Sequence, residues 1–184
     1  NAPSWGVAWQ RARGGSIDPP RSARVIPADL AGFFESGVSI LIGSRDPCLF
    51  PDCTRAIGAR VEAGGTELTV LLPRSTSARA VANLRDNGRI AVAFSRPSDH
   101  RSIQVKGRVV ALREAEEADR AVVDGYRGAL ARELAFVGLP PRLTFRMAHW
   151  PCLAARLRVE GIFVQTPGPG AGGPLEAPSP AVTR

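Results

Sequence analysis

In the segment HRSIQVKGRV, residues 100–109, two sets of positions alternate, one polar throughout and the other apolar except at its first residue, Arg101. Alternation of this kind is typical of a β-strand that buries one face. Ile103, Val105 and Val109 belong to the apolar face. The other face has no apolar position and consists of His100, Ser102, Gln104, Lys106 and Arg108. The segment predicts a strand whose outer face meets water, a ligand or another subunit.

Five further short segments have the length and composition of strands: VSILIGSRD, CTRAIGARVEA, TELTVLLP, RIAVAFS and LAARLRVEGIFVQT. The pair Gly64–Gly65 predicts a tight turn between the second and third of them. Helices are predicted after Pro27, in a segment that ends at Gly88, and across EAEEADRAVVDGYRGALARELAFVG. This order favours an antiparallel sheet over a parallel α/β fold. We therefore predict a mainly β fold of the α+β class, a six-stranded antiparallel barrel with flanking helices.

The chain is predicted to form one folded domain, residues 25–166, between two irregular ends. Residues 1–24 are predicted to be an N-terminal arm, because they contain Gly14–Gly15 and Pro19–Pro20. Trp5 and Trp9 suggest that this arm docks onto its own domain or a partner. Residues 167–184 are predicted to be a Pro/Gly-rich tail.

The formal net charge of +7 raises the question of nucleic-acid binding. The arginines are scattered singly along the chain and form no basic run, so we expect no nucleic acid partner. The longest apolar runs are too short to span a bilayer. No secretory signal is recognisable, so the expected location is the cytoplasm, without membrane association.

Residue counts argue against several kinds of site. The three cysteines, Cys48, Cys53 and Cys152, lack CxxC spacing, which argues against a disulfide framework and a structural zinc site. With only two histidines and no metal-loop spacing of carboxylates, no metal site is predicted. Gly168, Gly170 and Gly173 match GxGxxG, but prolines flank them and no helix follows, so we do not predict a dinucleotide site. No catalytic residues are assigned.

The outer face of the opening strand offers neutral hydrogen-bonding groups beside cations. That mixture suits a ligand with an anionic group and a polar heteroaromatic edge, although a solvated face or a subunit boundary would look the same. A second candidate is the start of the helix in RSTSARAVANLRDNG, where Ser75, Ser77 and Arg79 surround free backbone N–H groups. Thr54 and Arg55 give the preceding strand a polar edge.

The order of these segments resembles the pyridoxamine 5′-phosphate oxidase-like family of flavin-binding split β-barrels. The resemblance covers about residues 26–166 and depends most on ANLRDNGRIAV followed by a strand of the form RxIQVKG. It implies a homodimer with FMN at the subunit interface, a phosphate site near Arg55 and residues 75–79, and a flavin ring along the second and third strands. The implied cofactor-binding residues are Thr54, Arg55, Ala56, Ile57, Leu72, Ser75, Ser77, Arg79, Ser102, Gln104 and Lys106. Ala80 departs from the family pattern, because many members have a lysine at that position.

The function implied by this resemblance is FMN-dependent oxidation or reduction of a small substrate, in which the flavin carries the redox chemistry. The alternative is a non-catalytic protein of the same fold that binds flavin, haem or another anionic ligand, or that retains no cofactor. Redox turnover with a nicotinamide donor would distinguish the two.

Overall fold

The computed structural model describes residues 23–175, so Trp5, Trp9 and the end of the tail lie outside the described residues. The helices are α1 (Ala28–Phe34), α2 (Ala78–Asn87), α3 (Glu117–Phe136) and α4 (Pro141–Thr144). The strands are β1 (Ser39–Arg45), β2 (Pro51–Arg55), β3 (Ala59–Val61), β4 (Glu67–Pro73), β5 (Arg89–Ser95), β6 (Ser102–Glu114) and β7 (Cys152–Val164). No helix among residues 23–175 combines the length and the apolar character needed to cross a membrane.

The strands form one sheet in the order β2-β1-β5-β6-β7-β4-β3, and every neighbouring pair is antiparallel. This confirms the mainly β architecture with flanking helices. The sheet has seven strands, however, and the expected count of six was wrong. The difference lies in the segment predicted as the second strand, which divides into β2 and β3 at opposite edges of the sheet.

The division of this segment has a physical cause in two consecutive buried residues. Ala56 and Ile57 are both almost fully buried, whereas successive residues of one strand point to opposite faces. The Ala56 N–H donates to Ile40 O at 3.1 Å, and the Ile57 N–H donates to Leu71 O at 2.8 Å. The chain thus passes from β1 to β4 and brings the two edges of the curved sheet close together.

The core lies on the inner face of the sheet and includes residues of α1, α2 and α3. Phe34 and Phe94 stack with their ring centres 4.1 Å apart. Tyr126 of α3 is buried and donates a 2.8 Å hydrogen bond to Val38 O. Ile103 and Val105 of β6 are also buried, as their alternation predicts.

Both predicted glycine turns are confirmed. Gly64 and Gly65 have φ angles of +89° and +69° between β3 and β4, a region that favours glycine. Gly88 ends α2 with φ of 67°, and its N–H donates to Leu84 O. At the other end of α2 the Ser77 hydroxyl forms no capping hydrogen bond, so the backbone N–H groups of the first turn are left without that partner.

The beginning of α3 is held by a buried carboxylate. Arg113 Nη1 lies 2.6 Å from Asp119 Oδ2, and Arg60 Nη1 lies 3.4 Å from Asp119 Oδ1. The Glu116 N–H donates to Asp119 Oδ2 at 3.0 Å and forms part of a capping box. Burial raises the pKa of Asp119, but the hydrogen bonds from Arg113 and Glu116 outweigh it, so the net pKa lies below 3.8. Through Arg60 and Arg113, the Asp119 carboxylate therefore links β3 and β6 to the beginning of α3.

The described part of the tail returns along β7 after a turn. The Gly172 N–H donates to Val164 O at 2.7 Å, and the Leu175 N–H donates to Ile162 O at 2.8 Å. The glycines of the GxGxxG match lie in this return, and no helix follows them within the described residues. The division of the chain into arm, domain and tail stays a prediction.

Candidate functional site

Residues of four neighbouring strands, β1, β5, β6 and β7, form a broad surface that we call the outer face. Its members follow the sheet register in rows that cross the strands. One row joins Ser39, Ser95 and Ser102, and the next joins Leu41, Ala93, Gln104 and Phe163. The third row joins Gly43, Ala91, Lys106 and Gly161. The polar residues predicted on β6 therefore lie on this face.

The part of the outer face formed by β1 and β5 is low because most of its side chains there are small. Gly43, Ala91 and Ala93 are half-buried, and only Leu41 rises above them on β1. A Cβ atom added at Gly43 would meet only the Ala91 side chain, at 3.8 Å, and the Ala91 carbonyl, at 3.9 Å. Glycine is therefore not required there by packing. The floor leaves room for a planar group to approach the backbone.

Hydroxyl groups and one guanidinium form the end of the outer face nearest β2. Arg55 Nη1 donates to Ser39 Oγ at 2.9 Å, and Ser102 Oγ donates to Ser95 Oγ at 2.9 Å. Arg55 forms no ion pair with a carboxylate among residues 23–175. Its charge is therefore available to an anion.

A recess of about 240 Å³ begins at Arg55 and reaches the start of α2. It is lined by Thr54, Arg55, Pro73, Thr76, Met147 and Ala148. Inside it Thr54 Oγ1 donates to Thr76 O at 3.1 Å and lies 3.4 Å from Ser77 Oγ. The recess thus combines the Arg55 cation with the hydroxyl groups of Thr54 and Thr76, and it ends just before the N-terminus of α2. Cations and hydroxyl groups favour a phosphate.

A larger groove of about 590 Å³ occupies the other end of the outer face. Arg45, Arg89 and Lys106 line it around the floor formed by Gly43, Ala91 and Gly161. Lys106 Nζ lies 4.7 Å from the centre of the Phe163 ring, a cation–π contact. The ammonium group of Lys106 therefore lies beside the groove, although the residue as a whole is exposed.

The structure brings together only some of the residues implied by the family resemblance. Thr54, Arg55 and Ser77 lie at or beside the recess, and Ser102, Gln104 and Lys106 lie on the outer face. Ser75 and Arg79 are exposed, and Arg79 Nε lies 3.9 Å from Asp52 Oδ1. Ala56, Ile57 and Leu72 are core residues. Their side chains face the interior, so a ligand outside the sheet could reach them only through the backbone. Their role in cofactor binding stays a prediction.

Sequence reasoning missed the contributions of β1 and β5 to this surface. Ser39, Leu41, Gly43 and Arg45 alternate with buried residues on β1, and Arg89, Ala91, Ala93 and Ser95 do so on β5. The outward positions of both strands are mostly glycine, alanine or serine. Small outward residues on two strands with buried inner positions could have indicated this surface, because a strand exposed to water usually carries larger polar side chains.

Cys152 is buried, and its thiol is not activated as a nucleophile. Burial raises the pKa of Cys152 to about 12, and its thiol donates to His149 O at 2.8 Å. A thiol with that pKa is protonated at neutral pH, which argues against a nucleophilic role. Cys48 and Cys53 are exposed.

Comparison with known proteins finds a shared fold at low sequence identity. No family model matches the chain, and no curated protein matches it. A solved structure named F420 Reductase is 15% identical, covers 74% of this chain and 98% of its own, and superposes with a TM-score of 0.51. HupZ from Group A Streptococcus is 16% identical, with coverage of 80% and 100% and a TM-score of 0.50. An FMN-binding protein from Syntrophomonas wolfei is 12% identical, with coverage of 73% and 85% and a TM-score of 0.43.

Identities this low establish similarity of fold and not of activity. The likeness to the first two structures extends over most of this chain and nearly the whole of theirs. The chain therefore has a mainly β fold with flanking helices of the split-barrel kind, built on an open seven-stranded antiparallel sheet.

Proposed function

We propose that this protein binds FMN against the outer face and the adjoining recess, and that it is a flavin-dependent oxidoreductase for a small substrate. The observation that carries the proposal is the position of Arg55. This residue belongs both to the recess at the start of α2 and to the hydroxyl-lined end of a flat sheet surface. FMN combines a phosphate with a flat conjugated ring, so it needs both surfaces side by side.

The residues present fit such a cofactor. The Arg55 guanidinium, the Thr54 hydroxyl and the N–H groups of the first turn of α2 would hold the phosphate. Ser102 and Gln104 would donate or accept hydrogen bonds at the edge of the ring. The small side chain of Ala93, which lies between Leu41 and Gln104 in the sheet register, gives a flat group room to approach. In this assignment these groups together replace a lysine that many members of the family resembled by this chain have. This chain has Ala80 at that position.

Within the reaction, the flavin supplies electron transfer when it is bound. The residues of this chain orient it and fix the charge around it. Arg55 would neutralise the phosphate and anchor it at one end of the face. Ser102 and Gln104 would set the rotational position of the ring, and the small floor residues would exclude water from the side that faces the sheet.

We further propose that the functional unit is a homodimer in which a second copy covers the part of the outer face around Leu41 and Ala93. Leu41 is 39% exposed in the middle of this face, and its neighbours on the β5 side, Ala91 and Ala93, are small and uncharged. A surface of that kind suits close packing against another protein. Burial of the face by a second copy would also exclude water from the flavin ring.

The experiment that tests this function begins with the absorption spectrum of the purified protein and mass analysis of any released ligand. The proposal predicts an oxidised flavin spectrum, either directly or after incubation with FMN. Turnover of bound flavin by NADH or NADPH with an electron acceptor would support the oxidoreductase. Stable flavin binding without turnover would favour the non-catalytic alternative. A folded protein that takes up no FMN would contradict the proposal.

A further inference from the structure

We propose that the groove at the far end of the outer face is a second binding site, for a small molecule that carries a multivalent oxyanion. This groove, which we call the cationic groove, is lined by Arg45, Arg89 and Lys106. The inference goes beyond FMN binding and does not require it, because the phosphate of FMN is assigned to the recess near Arg55.

The first argument is the balance of charge. None of the three cations lining the cationic groove forms an ion pair with a carboxylate among residues 23–175. The lining includes one carboxylate, Glu160, whose side chain is 18% exposed. Arg108 Nε lies 3.8 Å from Glu160 Oε1 and offsets its charge. Three like charges around one groove repel each other, and an anion with two or more charges would relieve that repulsion.

The second argument is that the groups carrying the cations are partly ordered. Lys106 Nζ lies 4.7 Å from the centre of the Phe163 ring. The backbone beside Arg45 and Arg89 is tied to a single side chain: Asn87 Nδ2 donates to Arg45 O at 2.8 Å, and the Arg89 N–H donates to Asn87 Oδ1 at 2.9 Å. Asn87 thus joins the end of β1 to the beginning of β5. Positively charged groups on ordered backbone lose less conformational entropy when they bind a ligand.

The third argument is the shape of the floor. Gly43 and Ala91 keep the bottom of the cationic groove low, although a Cβ at Gly43 would meet no atom closer than 3.8 Å. A volume of about 590 Å³ is enough for a small organic molecule. The occupant therefore has a compact multivalent anionic group, of phosphate or carboxylate chemistry.

Isothermal titration calorimetry of the FMN-free protein with pyrophosphate, and separately with citrate, tests this inference. We expect saturable binding of at least one of them, with one site per chain. Binding of pyrophosphate alone would identify phosphate chemistry, and binding of citrate alone would identify carboxylate chemistry. Absence of binding by both anions would overturn the inference, whether or not FMN binds.

Three variants of the groove and one control variant decide whether the binding belongs to the cationic groove. Lys106→Gln and Arg89→Gln should each weaken binding by about tenfold, as expected for loss of one charged contact. Gly43→Val keeps every charge and raises the floor, so it should weaken binding while the protein stays folded. Arg132→Gln, an exposed change on α3, should leave binding unaltered. Equal affinity of all four variants and the original chain would overturn the inference, because it would show binding to general positive charge.

Discussion

Arg55 at the end of β2 donates a 2.9 Å hydrogen bond to Ser39 at the beginning of β1. This contact places a guanidinium where the recess beside α2 meets the outer face of the sheet. The arrangement makes Arg55 the residue on which the proposed cofactor site most depends.

Replacement of Arg55 by alanine should weaken FMN binding by about 10- to 100-fold, because a charged hydrogen bond to phosphate is lost. Arg55→Lys should recover only part of the affinity, since lysine lacks the planar pair of donors. Quenching of flavin fluorescence measures both affinities. Arg132→Ala, on the exposed side of α3, is the matched control. An Arg55→Ala protein with unchanged affinity and melting temperature would refute the phosphate assignment.

Introduction of a charge in the middle of the outer face should separate the proposed dimer. Leu41→Arg would place a guanidinium among small residues that a second copy covers, and an unpaired buried charge strongly opposes association. Leu143→Arg is a close control, because Leu143 lies on α4, away from the sheet, and is 42% exposed. Light scattering coupled to size-exclusion chromatography gives the mass of each variant. We expect a monomer for Leu41→Arg and a dimer for Leu143→Arg. Dimers of both would place the interface elsewhere.

Asp119→Asn should lower the free energy of unfolding by about 1–3 kcal/mol at neutral pH, since Arg113 and Arg60 lose their shared anion and Arg113 remains partly solvated. The folded pKa of Asp119 is lowered, so its contribution is present above the ordinary value of 3.8 and is lost as pH falls below it. Urea unfolding of both proteins at neutral and acidic pH measures the difference. The two stabilities should converge in acid. A difference that persists unchanged at low pH would contradict this account.

Tyr126 offers a test of the packing between α3 and β1 that needs no mutation. It is the only tyrosine of the chain, and burial raises its pKa to about 12. Its stabilising effect on the protonated folded state is present below the ordinary pKa of 10.0 and is lost as pH rises toward about 12. Spectrophotometric titration of tyrosinate should therefore have its midpoint at a higher pH in the native protein than in urea. Coincident midpoints would mean that Tyr126 is solvated.

The replacement Tyr126→Phe should lower the free energy of unfolding by about 1 kcal/mol, because Val38 O loses its donor.

Local patterns in the sequence predicted the features that depend on neighbouring residues. The alternation in β6 correctly separated buried Ile103 and Val105 from Ser102, Gln104 and Lys106. The glycine turns at Gly64–Gly65 and Gly88 were also predicted correctly, because positive φ angles are set by the local backbone. These features need no knowledge of which strands pair.

Features that depend on strand order were not readable from the sequence. The segment around Ala56 and Ile57 has the composition of one strand, yet it leaves one edge of the sheet and joins the other. The cationic groove depends on register as well, since Arg89 and Lys106 become neighbours only through the pairing of β5 with β6. Such pairing is decided by packing across the whole domain, which short-range propensity does not encode.

The most direct test of the central claim is a crystal structure of the protein grown with FMN. The account predicts flavin against the outer face, with its phosphate near Arg55 and its ring edge within hydrogen-bond distance of Ser102 or Gln104. A structure in which Ser102, Gln104 and Lys106 face open solvent, away from any bound flavin and any twofold contact, would contradict it.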